Sequence, residues 1–544
     1  MPPRTKKAAE PSAPSTLKEL KDTLWKAADK LRGNLSSSQY KDVVLGLVFL
    51  KYVSDAYDER RATIHADLTE QGYDEGQIAD LIDDPEEYQG YGVFVVPEVA
   101  RWGHLATHAK GLPPTGTEPG RTIGTLIDEA MDALMAANES LKATLPKGFN
   151  REGVDQRRLG ELIDLFSSAR FSRRGAHRAR DLMGEVYEYF LGNFARSEGK
   201  RGGEFFTPRS VVRTIVEVLQ PTKGTVYDPC CGSGGMFVQS EQFIAEHDGD
   251  PKDIHVLGQE NNLDSWRLAK MNLAIHGIGN GGLGASPQDT FARDLHADKQ
   301  MDYVMANPPF NIKDWARNEG DARWKYGVPP VTNANYAWIQ HILFKLAPGG
   351  QAGVVMANGS MSSNSGGEGD IRAAIVEADL VSCMVALPTQ LFRSTGIPVC
   401  VWFFAKDKGV RSGEVLFIDA RELGHLTDRA ERDLAPEDIA RIADTCHAWL
   451  GIPMPQLVEE VAQRPSQNHV EYADVPGFCK SATLAEIKAA DYALTPGRYV
   501  GAAELEDDGE PIEDKVTRLR QELLVAFDES ARLEQVVREQ LRRL

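Results

Sequence analysis

Three short runs carry residue types and spacings that could do chemistry. In Val226-Tyr-Asp-Pro-Cys-Cys-Gly-Ser-Gly-Gly-Met236 an acid, Asp228, stands ahead of a turn made by Gly232, Ser233, Gly234 and Gly235. Glycines let a strand-to-helix turn close tightly and admit a ligand, and the helix start offers free N–H groups. One βαβ unit later, about 30 residues on, Glu260 ends Ile254-His-Val-Leu-Gly-Gln-Glu260, where a carboxylate can accept both ribose hydroxyls of a nucleoside. A turn of this kind that binds nothing is the plainer alternative.

No G-x-x-x-x-G-K-[ST] run occurs in the chain, so ATP hydrolysis is not expected on it. An Asp at the turn would repel a pyrophosphate but suits a ligand with a cationic amino-acid part. S-adenosylmethionine, with its ribose, adenine and amino-acid tail, meets that description. The second run, Asn307-Pro-Pro-Phe310, follows Asp302-Tyr-Val-Met-Ala306, at the carboxyl end of a strand where parallel sheets place their sites. Pro308 and Pro309 fix φ and donate no N–H, so the Asn307 side-chain oxygen and a proline carbonyl form two acceptors for one amino group. Hydrogen bonds from a planar exocyclic amine to such a pair localise its lone pair for attack on a sulfonium methyl, and Phe310 can stack on the ring. The third run is Gly202-Gly-Glu-Phe-Phe-Thr-Pro-Arg-Ser210 before Val211–Leu219, in which Thr207 and Pro208 have the arrangement of an N-cap with proline at the first helical position.

Elements able to position these runs are readable on both sides. Residues 1–16 are rich in Pro, Ala and Lys and read as a disordered tail. Residues 17–168 read as a helical domain: Leu17, Leu20, Leu24, Ala28 and Leu31 recur at helical spacing, and Leu35–Val53 and Thr125–Leu145 keep that character. Its middle, from about Asp83 to Gly120, is rich in Pro and Gly and suits loops or a short hairpin around Gly92-Val-Phe-Val-Val96. Residues 169–480 read as a catalytic domain in which Thr225–Asp228, Ile254–Leu257, Asp302–Met305, Ala352–Met356, Met384–Leu387 and Val399–Phe404 are strands alternating with helices. That pattern gives an α/β fold, a mostly parallel sheet with helices on both faces, and the short link between the last two runs makes them an antiparallel pair at one edge. Residues 481–544 form a C-terminal segment, with Ile512, Val516, Leu519, Leu523, Ala526, Leu533 and Val537 spaced as a long amphipathic helix for docking on a partner chain or on its own domain.

Composition limits the function classes. The 544 residues carry 61 Lys and Arg against 80 Asp and Glu, a net charge of −19, which argues against wholesale coating by nucleic acid. The most apolar stretch, Val43–Leu50, is far shorter than the roughly 20 residues of a membrane-spanning helix, and no secretory signal opens the chain, so a cytoplasmic protein is expected. Six cysteines with no C-x-x-C pair and no Cys/His cluster predict free thiols and no metal site. Basic residues do gather locally, as Arg170, Arg173, Arg174, Arg178 and Arg180 and then Lys200, Arg201 and Arg209, and could touch phosphates or face solvent. Asn333–Trp338, with Tyr336 and Trp338, either lines the base pocket or belongs to the core.

Glu204-Phe-Phe-Thr-Pro208, Asp228-Pro-Cys-Cys-Gly-Ser-Gly-Gly235, Asn307-Pro-Pro-Phe310 and Ala386-Leu-Pro-Thr389 with Gly396-Ile-Pro398, in this order, resemble the modification subunit of type I restriction-modification enzymes. Asp181–Phe190 and Leu494–Val500 extend the resemblance over nearly the whole chain. It implies a helical N-terminal domain, a Rossmann-like methyltransferase domain and a C-terminal helical tail. It also implies transfer of a methyl group from S-adenosylmethionine to N6 of adenine in duplex DNA by base flipping. The partners implied are double-stranded DNA, a DNA specificity subunit, a second copy of the chain and a restriction or motor subunit. Carried onto this sequence, Glu204, Phe205, Phe206, Thr207, Pro208, Arg209, Asp228, Gly232, Ser233, Gly234, Gly235 and Glu260 would line the cofactor pocket. Asp289, in Gln288-Asp-Thr290 after the next strand, would sit near the cofactor adenine, and Asn307, Pro308, Pro309 and Phe310 would hold the base. Cys230-Cys231 departs from the small residues usual in the family, and both are small and uncharged. The alternatives are a methyltransferase for cytosine N4 or a protein glutamine, or a catalytically silent assembly subunit.

Overall fold

The computed structural model describes residues 17–29, 31–32, 35–116, 119–168, 179–198, 206–247, 249–392, 398–428, 431–452 and 471–502, with positions 520, 521, 523, 524, 527, 532 and 533. Two compact units divide the chain after Val500. The first opens with helices α1 (Leu17–Asp29), α2 (Ser37–Glu70), α3 (Glu75–Leu81), α4 (Pro85–Gln89), α5 (Trp102–Thr107), α6 (Ile123–Ala137), α7 (Gln156–Ser168) and α8 (Ala179–Glu198). Ser36 starts α2 with a capping box: its hydroxyl accepts from Gln39 N, and the Gln39 side chain returns to Ser36 N. Residues 43–54 of α2 are buried on every side, so this helix is the centre of the bundle rather than an amphipathic surface helix. Trp25 of α1 meets Phe190 and Phe194 of α8 edge to face, at 5.3 and 5.0 Å between centroids, which joins the first and last helices of the region.

Two local expectations change here. The helix expected over Thr125–Leu145 stops at Ala137, because the buried Asn138 leaves the helical region, with φ at −134°, and its amide bonds both the last turn and a neighbouring segment. Asn138 Nδ2 donates to Leu134 O and Val95 O, both at 2.9 Å, and Oδ1 accepts from Val95 N at 3.0 Å. One side-chain amide therefore takes the place of a neighbouring strand, and Val93–Val96 runs extended without forming the hairpin considered for it.

The catalytic part is an eight-stranded sheet. Its strands are β1 (Gly224–Asp228), β2 (Ile254–Gly258), β3 (Met301–Ala306), β4 (Leu346–Ala357), β5 (Val381–Ala386), β6 (Val399–Ala405), β7 (Glu414–Asp419) and β10 (Cys479–Thr483); β8 (His425–Asp428) and β9 (Glu431–Asp433) make a separate hairpin. The order is β10-β7-β5-β6-β4-β3-β1-β2, and β6 and β10 alone among these eight oppose the common direction. The six strands read from sequence are all present. β5 and β6 pair antiparallel as expected, while β7 and β10, not read from sequence, carry the sheet two strands further to an antiparallel edge.

Strand β6 shows why the sheet is covered on both faces. All seven residues are buried; Val399, Val401 and Phe403 join the apolar layer under α9 (Arg209–Leu219), α10 (Gly235–Glu246), α11 (Leu263–His276) and α14 (Pro436–Leu450). Cys400, Trp402 and Phe404 join the opposite layer, with α12 (Asn335–Lys345), α13 (Glu368–Glu377) and α15 (Leu484–Ala489). The period of two that divides them is the strand's own geometry. Helix α11 belongs to two cores: Leu268, Met271, Ala274 and Ile275 pack into the N-terminal bundle, and Trp266, Ala269 and Leu273 pack on the sheet side.

Among the described residues no helix is long and apolar enough to cross a membrane. The six cysteines are free. The tail at 1–16 lies outside the described residues. In the C-terminal stretch the described positions, Arg520, Gln521, Leu523, Leu524, Phe527, Arg532 and Leu533, are helical.

Replacing Asn138 by Ala leaves the N–H and C=O of Val95 without their partner. The expected loss is about 2–3 kcal/mol, read as a lower denaturant midpoint at unchanged slope.

Candidate active site

Strand β1 pairs in parallel with β2 on one side and β3 on the other, so the chain reverses its order of strand addition at β1. A crevice opens beyond the carboxyl ends at such a point, and the residues that follow β1, β2 and β3 are Asp228 to Gly235, Gln259-Glu260 and Asn307 to Phe310. The glycine turn is built by positive φ at Gly232 (53°) and at Gly234 (80°), the latter being the N-cap of α10. Gly235 opens the helix with free space where a Cβ would stand.

Two buried acids face this turn. Asp228, 2 % exposed, accepts from Cys230 N at 2.9 Å. Burial, with the Glu260 charge added, pushes its carboxyl up to about 7 against the partial relief of that N–H. Glu260 accepts from Gly232 N at 3.0 Å and Asn262 N at 2.8 Å; burial raises its pKa and these N–H groups hold part of the rise back. Each oxygen keeps acceptor capacity for another donor. Burial also pushes the thiols of Cys230 and Cys231 well up, so both stay neutral beside the acids.

Asp289 lies in the irregular chain between α11 and β3, before the next strand rather than after it as the sequence suggested. Its Oδ1 accepts from Phe291 N and Ala292 N at 2.7 and 3.0 Å. The neighbouring Thr290 hydroxyl donates to Pro229 O at 2.6 Å, and Gln288 N donates to Glu260 O at 2.8 Å, so this chain is tied to both acid-bearing strand ends. Gln259, which sequence reasoning passed over, is fully buried and clamps the same stretch: Nε2 to Arg293 O at 2.7 Å and Leu295 N to Oε1 at 3.0 Å.

At the end of β3, Asn307 is half-buried and Pro308 buried, with Pro309 and Phe310 half-buried. Asn307 Nδ2 donates to Thr207 Oγ1 at 3.0 Å. That contact fixes the amide with Oδ1 in a buried position where it has no hydrogen-bond partner among the described residues. Thr207 is therefore not the helix cap its place before Pro208 suggested: Pro208 is the N-cap of α9 and no side chain caps it. A partner 100 residues away displaces the local one. Asn311, at φ 56°, exchanges hydrogen bonds with Asn335, N to Oδ1 at 2.9 Å and Nδ2 to Oδ1 at 3.0 Å, and this locks the turn after Phe310. An Asn at a turn end, which tolerates the left-handed region, was the available signal for it.

The remaining expected residues divide. Phe206 is half-buried against the N-terminal bundle, and Arg209 is exposed with Nη2 on Gln242 Oε1 at 3.0 Å. Glu204 and Phe205 lie outside the described residues, as do Arg170, Arg173, Arg174, Arg178, Lys200, Arg201, Gly396 and Ile397. Tyr336 and Trp338 are core: the Tyr336 hydroxyl donates to Ser360 O, and Trp338 packs on Phe291 at 4.4 Å between centroids. No group of three His, Cys, Asp or Glu among the described residues is placed to hold a metal ion. The geometry is a pair of buried acids at a glycine turn, beside a strand end that carries an amide acceptor with no partner among the described residues and an aromatic ring.

Residues 178–508 match the family described as N-6 DNA methylase, and residues 20–166 match the HsdM N-terminal domain. The type I restriction enzyme HindI methylase subunit of Haemophilus influenzae is 47% identical over 459 residues, 82% of this chain and 99% of that one. The MjaIX methylase subunit of Methanocaldococcus jannaschii is 38% identical over 536 residues, 96% of this chain and 90% of its own. The fold is shared with the type I methyltransferase subunit from Streptococcus thermophilus, at a TM-score of 0.70 and 21% identity over 89% of this chain and all of that one. With a family match over more than half its length and relatives this similar along nearly their entire chains, the protein belongs to the N-6 DNA methylase family, among the methylase subunits of type I restriction-modification enzymes.

Proposed function

We propose that the chain transfers the methyl group of S-adenosylmethionine to N6 of an adenine swung out of duplex DNA, while a separate specificity subunit chooses the site. The observation that carries this reading is the Asn307 amide, anchored through Nδ2 to Thr207 and holding Oδ1 buried without a partner. A buried acceptor left unpaired costs about 1–3 kcal/mol, and an amino group arriving there removes that cost. The gain offsets part of the few kcal/mol needed to unstack a base, and stacking on Phe310 adds roughly 1–3 kcal/mol more.

The residues fit the proposed cofactor. Asp228 and Glu260 are acceptors in a crevice with a glycine turn, suited to an ammonium group and a ribose, and Asp289 is tied beside them for the adenine. Phe206, Thr207, Pro208 and Arg209 would close the pocket. Bound S-adenosylmethionine supplies an electrophilic methyl on a sulfonium. The chain's own part is positioning: Asn307 Oδ1 and the Pro308 carbonyl accept the two amine hydrogens, and Phe310 holds the ring plane. The amine sheds its proton after methylation, when it is far more acidic, so no side chain need remove it beforehand.

The charge of −19 supports a division of labour in which another subunit supplies most duplex affinity. Exposed Leu523, Leu524, Phe527 and Leu533 in the C-terminal helix support docking there, on a specificity subunit. A second copy of the chain and a restriction or motor subunit complete the proposed assembly, in the cytoplasm of a bacterium or archaeon.

The test pairs the chain with its specificity subunit and identifies the product base by mass spectrometry. N6-methyladenine is expected; N4-methylcytosine, a methylated glutamine or no product overturns the reading. Asn307→Ala should keep cofactor affinity and lose methylation by a factor on the order of 10³. Thr207→Val, which frees the amide to rotate, should lower kcat by a smaller factor.

A pH dependence follows from Asp228. Its folded pKa lies above the unfolded value of 3.8, so the protonated acid favours folding at low pH and that contribution is lost as pH rises through about 7. The ionised form is the one that attracts the cofactor's ammonium. Thermal stabilisation by S-adenosylmethionine should therefore be larger at about pH 8 than at about pH 6, and Asp228→Asn should flatten the difference.

A further inference from the structure

Arg323 touches none of the residues assigned to cofactor or base, yet it is buried, in the segment between Phe310 and α12. A guanidinium has five N–H donors, and every one finds an acceptor. Nε and one Nη2 hydrogen bind Asp321, at 2.9 and 2.5 Å. Nη1 donates to Thr290 O at 2.9 Å and to His341 Nδ1 at 3.2 Å, and the second Nη2 hydrogen reaches Phe291 O at 3.0 Å. With Nδ1 accepting, His341 faces the hydroxyl of Tyr227 through Nε2 at 3.2 Å; Tyr227 is the residue before Asp228.

Thr290 and Phe291 directly follow Asp289, in a stretch with no helix or strand to satisfy its carbonyls. The far end of that stretch has other holders: Lys345 Nζ binds Asp294 at 3.0 Å and also His296 O, and His296 Nε2 lies 3.2 Å from Gly258 O. The Asp289 end rests on Arg323, on the Thr290 hydroxyl at Pro229, on the bond from Gln288 N to Glu260 O and on Arg293 N, which donates to Asp289 O at 2.8 Å. A planar fork that grips two successive carbonyls sets both position and orientation, which a single ammonium cannot do.

We propose that Arg323 is a positioning residue for cofactor binding: by holding the carbonyls of Thr290 and Phe291 it fixes Asp289 beside the strand ends that carry Asp228 and Glu260. This rests on the reading of the crevice as an S-adenosylmethionine site. The arginine sits on the segment that leaves the Asn307–Phe310 turn, so it also ties the cofactor side of the crevice to the base side.

The experiment uses the full chain, with S-adenosylmethionine binding followed by calorimetry and methylation followed in the presence of the specificity subunit. Arg323→Lys keeps the charge and loses the fork. It should weaken S-adenosylmethionine binding, and raise its KM, by about tenfold, with kcat at saturating cofactor within about twofold of wild type. Asp321→Asn, which removes the carboxylate that orients the fork, should give the same selective effect at a smaller size, and it decides the matter if Arg323→Lys does not fold. A folded variant with unchanged cofactor affinity, or one that loses kcat and not affinity, overturns the assignment. Wild-type chain that takes up no S-adenosylmethionine overturns the methyl-transfer reading and this inference with it.

Discussion

The parallel pairing of β1 with β3, Val226 opposite Tyr303 and Tyr227 opposite Val304, sets everything else in the catalytic region. It brings two strand ends side by side at the same edge of the sheet. Asp228 is the last residue of one, and Asn307 follows the last residue of the other. Since β2 lies on the far side of β1, Glu260 reaches the same crevice from the third strand. Hydrogen bonds then fasten the connecting chain across these ends: Gln259 N to Asp228 O at 3.0 Å, Cys231 N to Gln259 O at 2.9 Å, and Thr290 Oγ1 to Pro229 O at 2.6 Å. A crevice assembled from strand ends cannot widen without breaking the sheet that carries them, and such preorganisation is what a positioning enzyme needs.

Charge is arranged by burial rather than by pairing. Among the described residues the acids Asp228 and Glu260 form no ion pair with a lysine or arginine; Glu260 is stabilised by backbone N–H groups, and burial with the charge of its acidic neighbour pushes the Asp228 carboxyl up to about 7. A buried pair of this kind attracts a cation as pH rises. Two buried cations, Arg323 and Lys345, bind Asp321 and Asp294 and hold backbone carbonyls of the chain before β3. Net acidity of the chain and local cationic structure thus serve separate purposes.

Helix α11 is a main junction between the N-terminal bundle and this arrangement. The bundle-facing residues of α11 leave its opposite side on the sheet, and from there Asn272 Nδ2 donates to Ser233 O at 2.9 Å. A shift of the bundle would therefore be felt at the glycine turn. Phe206, one residue before Thr207, packs on the same bundle, so the partner that fixes the Asn307 amide is itself seated on helices from the other end of the chain.

Strands β1 to β6 were legible because each holds a short run of mostly apolar, β-branched or aromatic residues, most of them buried in the sheet. The glycine turn and the Asn-Pro-Pro-Phe turn were legible because their backbones restrict the residue types they accept. Strand β10 was not, since an edge strand with Lys480 and Ser481 half-exposed lacks that signature, whereas β7, with the buried run Val415-Leu-Phe-Ile418, carries the same signature and was passed over. The amphipathic spacing also extended α6 past Ala137, where the buried amide of Asn138 ends it by bonding Val95. Sequence alone determined the order of elements and the chemical groups at the strand ends, because these follow from local backbone preference and the period of burial. Tertiary structure decided which of those groups are already satisfied. Thr207 serves Asn307 rather than its own helix, and Arg323 serves the carbonyls beside Asp289, because a buried polar group takes the partner that packing brings to it, at whatever distance along the chain.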